Sequence, residues 1–224
     1  MTGRSGDVRH LVVDGPRHLV VEGPIGVGKT TLARRFAESW NAELLLERAE
    51  DNPFLERFYQ EPRTAALPAQ LSFLFQRVRQ LEKLRQGDIF RPMRVADFLL
   101  EKDRLFAHLN LDDDELALYE QVYARVSIDL PQPDLVVYLQ APVEVLMRRV
   151  RRRGIGYEQL IRHDYLEALA SAYAQFFHHY DRTPLLIVNA AEINPVENEA
   201  DYQALLDEIA GIRTGRHYFN PVAR

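Results

Sequence analysis

Cysteine is absent from the 224-residue chain. Its absence excludes disulfides, thiolate zinc sites, iron–sulfur clusters and a cysteine nucleophile, and is compatible with a reducing cytoplasm. Long hydrophobic runs are lacking too: the uninterrupted apolar stretches are only a few residues long, far short of the roughly 20 needed to span a bilayer. Residues 1–14 hold no apolar stretch of signal-peptide length, so the expected location is cytoplasmic, without membrane association. Positive charge is not in excess. The net charge is −5 and the isoelectric point about 5.8, which gives no global electrostatic case for a nucleic-acid polymer as partner. Any anion-binding role must come from a local arrangement. No stretch rich in Gly, Ser or Pro divides the chain.

Hydrophobic residues make up 46% and charged residues 27%, enough to bury one sizeable core. Two near-identical octets open the chain: Arg-His-Leu-Val-Val-Asp-Gly-Pro at 9–16 and Arg-His-Leu-Val-Val-Glu-Gly-Pro at 17–24. Only the second runs on into a glycine-rich loop, so it is taken as the first true strand. Apolar runs of strand length at 19–21, 43–46, 93–98, 135–139 and 185–188 alternate with helix-period segments at 29–40, 67–85, 112–126, 143–152, 158–180 and 201–209. Short buried strands separated by helices predict an α/β three-layer sandwich: a five-stranded parallel sheet with helices on both faces. The expected organisation is an N-terminal extension at 1–16, one domain at 17–214 and a tail at 215–224.

Gly23-Pro24-Ile25-Gly26-Val27-Gly28-Lys29-Thr30, followed by Thr31, fits G-x-x-x-x-G-K-[ST] between a strand and a helix. The glycines let backbone N–H groups turn inward around phosphate oxygens, and the helix N-terminus adds its dipole. Lys29 is placed to reach the β/γ-phosphates, and the Thr30 hydroxyl to hold Mg²⁺. A nucleoside triphosphate is therefore the expected ligand. The N-K-x-D guanine-reading motif is missing after the fourth strand, where the chain reads Gln140-Ala141-Pro142-Val143. The apolar run ending in Asp that marks motor ATPases is broken at Met93-Arg94-Val95-Ala96-Asp97. What does follow the fourth strand is Arg148-Arg149-Val150-Arg151-Arg152-Arg153-Gly154. An arginine-rich lid there neutralises charge on a transferring phosphoryl group, and Arg149 and Arg153, four apart, share a helix face. Glu47 ends the apolar run Leu44-Leu45-Leu46, at the strand edge where open α/β sheets bind ligands.

These segments, in this order, carry a family resemblance. To the glycine loop and lid are added Glu47, then Asp51-Asn52-Pro53-Phe54-Leu55 with Phe58-Tyr59, then Gln70 with Phe73-Leu74 and Arg77, then Glu101-Lys102-Asp103 with Leu105-Phe106-Ala107, then Tyr157-Glu158, Tyr165-Leu166 and Tyr173. Over residues 19–209 the chain resembles the deoxynucleoside kinases, particularly the bacterial deoxyadenosine/deoxyguanosine kinase type. The resemblance implies ATP- and Mg²⁺-dependent phosphorylation of a small-molecule deoxynucleoside by a homodimer. It assigns Glu47 as the base for the 5′-hydroxyl, and Gln70, Arg77 and Asp103 to the nucleobase, favouring a purine or deoxycytidine over thymidine. It also assigns Tyr59 and Glu158 to the 3′-hydroxyl, and Asp97 with Thr30 to Mg²⁺. Phe106 offers a stacking face for the base.

The resemblance departs at two places. The family's acidic residue at the end of the third strand is followed by an Arg that pairs with the catalytic carboxylate and the phosphates. Here Asp97 is followed by Phe98, and in the lid one usual Arg falls on Ile155. Arg94 and Arg104 are the nearest replacements for the first, Arg151 and Arg152 for the second. Two alternatives stay open: a catalytically weakened nucleotide-binding or sensing module, and a nucleoside-monophosphate kinase of the thymidylate type.

Overall fold

A strand covered by helices on both faces is apolar along its interior, and the central strands obey this between their end residues. In the computed structural model, which describes residues 16–85 and 93–220, β1 (His18–Glu22) is buried throughout. So are all but the last residues of β4 (Leu135–Gln140) and β5 (Leu185–Asn189). The first octet, apart from its last residue, lies outside the described residues. With β2 (Glu43–Leu45), β3 (Arg94–Ala96) and β6 (Arg216–Phe219), these strands form one sheet in the order β2-β3-β1-β4-β5-β6. Every pairing is parallel.

The sheet has six strands rather than the expected five. β6 lies in the segment 215–224 expected to be a tail and pairs with β5 from Leu185↔Arg216 to Val188↔Phe219. It is an edge strand whose residues alternate between exposed and half-buried, so it lacks the continuous apolar run that marks the inner strands. The third strand is shorter than its apolar run, because Phe98 leaves the ladder and turns into the core.

The helices are α1 (Lys29–Trp40), α2 (Leu55–Gln60), α3 (Pro62–Arg85), α4 (Lys102–Asn110), α5 (Asp113–Val126), α6 (Val143–Arg153), α7 (His163–His179) and α8 (Glu199–Gly211). The acidic cluster at 112–115 caps α5 reciprocally: the Asp112 carboxylate accepts from the Glu115 N–H, and the Glu115 side chain accepts from the Asp112 N–H. The helix expected over 158–180 is split. A 3₁₀ turn (Gly156–Leu160) and two extended residues precede α7, and Glu158 and Ile161 both turn inward there. The short helices α2 and α4 carry too little periodicity of their own to be read from sequence; packing makes them. The main core surrounds the sheet, while Leu55, Phe58, Ala65, Ala66 and Ala69 form a second cluster between α2 and α3. Among the described residues no helix is long and apolar enough to cross a membrane.

Candidate functional site

The glycine loop leaves the carboxyl end of β1 where backbone approaches backbone. A Cβ on Gly23 would stand 2.3 Å from the Leu139 carbonyl oxygen of β4, so no larger residue fits without moving the loop. Gly28, at φ +108°, occupies the left-handed region and opens α1. Lys29 Nζ donates to the Gly23 and Pro24 carbonyls at 2.7 and 3.3 Å. Burial, and then the neighbouring Lys102 cation, lower its pKa to about 8. The Thr30 hydroxyl donates to Asp97 Oδ2 at 2.5 Å, and Asp97 Oδ1 accepts from the Glu47 N–H at 2.7 Å. Burial raises the Asp97 pKa, partly offset by these hydrogen bonds. One carboxylate thus ties the loop helix to Glu47, two residues beyond the end of β2.

A cavity opens between that loop and the helices α2, α3 and α4. Ile25, Gly26 and Lys29 of the glycine loop line it together with Glu47, with Tyr59 of α2, with Gln70, Phe73 and Arg77 of α3, with Phe106 of α4, and with Arg153, Tyr157 and Glu158. Tyr59 and Tyr157 stack with centroids 6.1 Å apart, and Phe106 meets Tyr173 edge-on. Glu158 accepts from Arg153 at 2.5 and 2.9 Å.

Charges of alternating sign run beneath the cavity. Glu22 ends β1 fully buried; its oxygens accept from the Gly23 and Leu99 N–H groups and the Tyr173 hydroxyl. Lys102 Nζ lies 3.1 Å from Glu22 Oε1 and 3.1 Å from Glu47 Oε2. Glu47 Oε1 pairs with Arg77, whose other terminal nitrogen pairs with Asp103. Burial alone would raise the Glu47 pKa, but Arg77, Lys102 and Lys29 outweigh it and hold it at about 2. Arg77 is likewise held charged against burial by Glu47 and Asp103. Such a carboxylate is ionised at neutral pH and faces the loop that would carry a phosphate chain.

The structure therefore brings Glu47, Tyr59, Gln70, Arg77, Phe106, Arg153 and Glu158 to one cavity beside Lys29. Asp103 stands behind it: its carboxylate accepts from Gln70, Tyr119 and Arg77, so it fixes those groups rather than facing the opening. Gln70 uses its NH₂ on Asp103, and among the described residues nothing donates to its carbonyl oxygen. Arg149 does not line the cavity; it donates to the Val27 carbonyl at 3.0 Å and the Ala190 carbonyl at 2.8 Å. Thr31 faces solvent. The sequence by itself assigns no role to Glu22, Lys102 or Tyr119. The signals available were an acidic residue abutting the glycine loop and the run Glu101-Lys102-Asp103.

Residues 19–212 match the family described as deoxynucleoside kinase. A deoxyguanosine kinase of Bacillus subtilis strain 168 is 34% identical over 155 residues, covering 67% of this chain and 73% of its own. A deoxyguanosine kinase of Lactobacillus johnsonii is 27% identical over 200 residues, covering 83% and 88%. A solved structure of deoxyadenosine kinase from M. mycoides, with the products dCMP and a flexible dCDP bound, shares the fold at TM-score 0.76 and 23% identity, covering 87% of this chain and 100% of that one.

Proposed function

The chain belongs to the deoxynucleoside kinase family and is a transferase, and from that premise we propose that it moves the γ-phosphoryl group of ATP to the 5′-hydroxyl of a purine deoxynucleoside or deoxycytidine. The observation that carries this reading is the single cavity lined by Lys29 of the glycine loop, by Glu47, and by a wall of Gln70, Tyr59 and Phe106. A nucleoside seated against that wall presents its 5′ end to Glu47, and a phosphate chain on the loop presents its terminal phosphorus from the other side.

The roles follow from the groups present. Loop amides and Lys29 grip the phosphates, Lys29 exchanging the Gly23 and Pro24 carbonyls for phosphate oxygens. Glu47 accepts the 5′-hydroxyl proton. Tyr59 and Glu158 hold the 3′-hydroxyl. Phe106 stacks on the base and the Gln70 carbonyl reads its edge, with Arg77 and Asp103 holding that wall in place. Arg153 closes over the phosphates as lid, and Arg149 steadies the loop through Val27. Thr30 and Asp97 are hard oxygen donors side by side and fit Mg²⁺. Among the described residues no group of three acidic or His side chains stands ready for a metal, so phosphate oxygens and water would complete its shell. When bound, the ion neutralises phosphate charge. The same reading makes the acceptor a small molecule, not a nucleic-acid polymer, and the working assembly a homodimer, which sedimentation checks.

The test is incubation with Mg-ATP and a panel of deoxynucleosides and their monophosphates, following ADP and phosphorylated product. Turnover of deoxyadenosine, deoxyguanosine or deoxycytidine is expected. Turnover of monophosphates alone, or tight binding with no product, overturns the reading.

A further inference from the structure

Phe98 stands where the family places its strand-end arginine, yet it is 1% exposed and packed in the core. Neither neighbour in sequence replaces that arginine. Arg94 opens β3 at the far edge, 3.4 Å from Glu43, and Arg104 is exposed and paired with Glu120 at 2.9 Å. Glu47 nevertheless carries a cation on each oxygen: Arg77 on Oε1 and Lys102 on Oε2. A carboxylate held at both oxygens cannot rotate about its terminal bond without breaking an ion pair.

Lys102 is itself held. Its partner Glu22 is fixed by the Gly23 N–H, the Leu99 N–H and the Tyr173 hydroxyl, at 2.8, 2.9 and 3.1 Å. Both members are buried, Lys102 at 2% and Glu22 at 0% exposure. A buried ion pair is at best a weak contributor to stability, since desolvation offsets the Coulomb gain. Stability therefore does not account for placing one behind Glu47. Two successive residues at the start of α4 bracket the carboxylate: Lys102 touches it directly, and Asp103 touches it through Arg77. Lys102 does not line the cavity, so it acts on Glu47 rather than on a ligand.

We propose that Lys102, seated by Glu22, is the positioning residue that aims Glu47 at the acceptor hydroxyl, taking over from α4 the carboxylate contact of the arginine that β3 lacks. The inference rests on the kinase reading, with Glu47 as proton acceptor. Orientation is worth much in such a site, because misplacement by about 1 Å can cost on the order of 10²-fold in rate.

Three variants test it in steady-state kinetics with Mg-ATP and the best deoxynucleoside. Lys102→Met combined with Glu22→Gln leaves no unpaired charge at those two sites; kcat should fall about 100-fold, with both KM values within about threefold. Lys102→Arg should keep kcat within about tenfold. Lys102→Met alone leaves Glu22 buried without its cation and, with circular dichroism showing it folded, should have a kcat no higher than the double variant's; a folded single variant with wild-type kcat overturns the proposal. A double variant with wild-type kcat, or one that loses affinity for both substrates at unchanged kcat, overturns the proposal, as does a Lys102→Arg enzyme no better than the double variant. Failure of the wild-type chain to phosphorylate any deoxynucleoside would instead overturn the kinase reading.

Discussion

At the scale of the residue, the proposed chemistry rests on Glu47. Its carboxylate is ionised and clamped by Arg77 and Lys102, and its N–H is fixed on Asp97. Removing only the negative charge should leave the phosphate grip intact, since the proposal assigns that grip to the loop and Lys29. Glu47→Gln is therefore expected to keep ATP affinity in calorimetric titration while phosphoryl transfer drops by about 10²- to 10⁴-fold, the usual worth of a general base. Normal turnover in this variant would remove Glu47 from its role. His18 makes a separate case. It opens β1 buried, with Nε2 unpartnered among the described residues. Burial lowers its pKa below the ordinary 6.5. The unfolded chain then binds a proton more readily than the folded one, so this group lets stability fall as pH drops below about 6.5. His18→Leu should flatten the pH dependence of the urea midpoint between pH 7 and 5. An unchanged slope would show that His18 does not titrate against folding.

At the scale of the element, the glycine loop and α1 show how sequence specifies a shape. The loop was legible because its requirement is local: small residues at fixed spacing, then Lys and Thr at a helix start. Two of its glycines answer to different demands. Gly23, at φ +150°, needs space as well as a positive φ, with the Leu139 carbonyl 2.3 Å from where a Cβ would stand; Gly28 has open space and needs only its left-handed backbone. Gly23→Ala must push the loop off β4, whereas Gly28→Ala costs backbone strain of order 1–3 kcal/mol. Both should weaken ATP binding, and Gly23→Ala should lower the melting temperature more. Equal melting temperatures would mean that the loop yields at β4 without strain. The Glu22–Lys102–Glu47–Arg77–Asp103 series was not legible. Its members come from the end of β1, the loop after β2, α3 and the start of α4, and no local pattern states that these positions meet. The departure at Phe98 marked a missing charge, but only the packing of α4 shows where a cation returns.

At the scale of the molecule, the parallel sheet was legible in its inner strands, whose double burial forces apolar runs, and illegible at its β6 edge. That edge has a structural task. β6 covers β5 along Leu185–Val188, and Arg216 donates to the Phe177, His178 and Tyr180 carbonyls at 3.2, 2.8 and 3.1 Å. These lie at the end of α7, where a cation also meets the helix dipole. α7 in turn carries Tyr173, which holds Glu22 under the site. Arg216→Ala removes only the tie to α7 and should cost about 1 kcal/mol in urea denaturation. Ending the chain at Thr214 removes the tie and the ladder together. It bares the N–H and C=O groups of an apolar strand, which is a template for pairing between chains. The truncated protein should therefore unfold at a lower urea midpoint than Arg216→Ala and scatter light at concentrations where the full chain stays clear. A truncated chain matching the full one in both midpoint and scattering would mean that β5 tolerates the edge position and that β6 adds no stability.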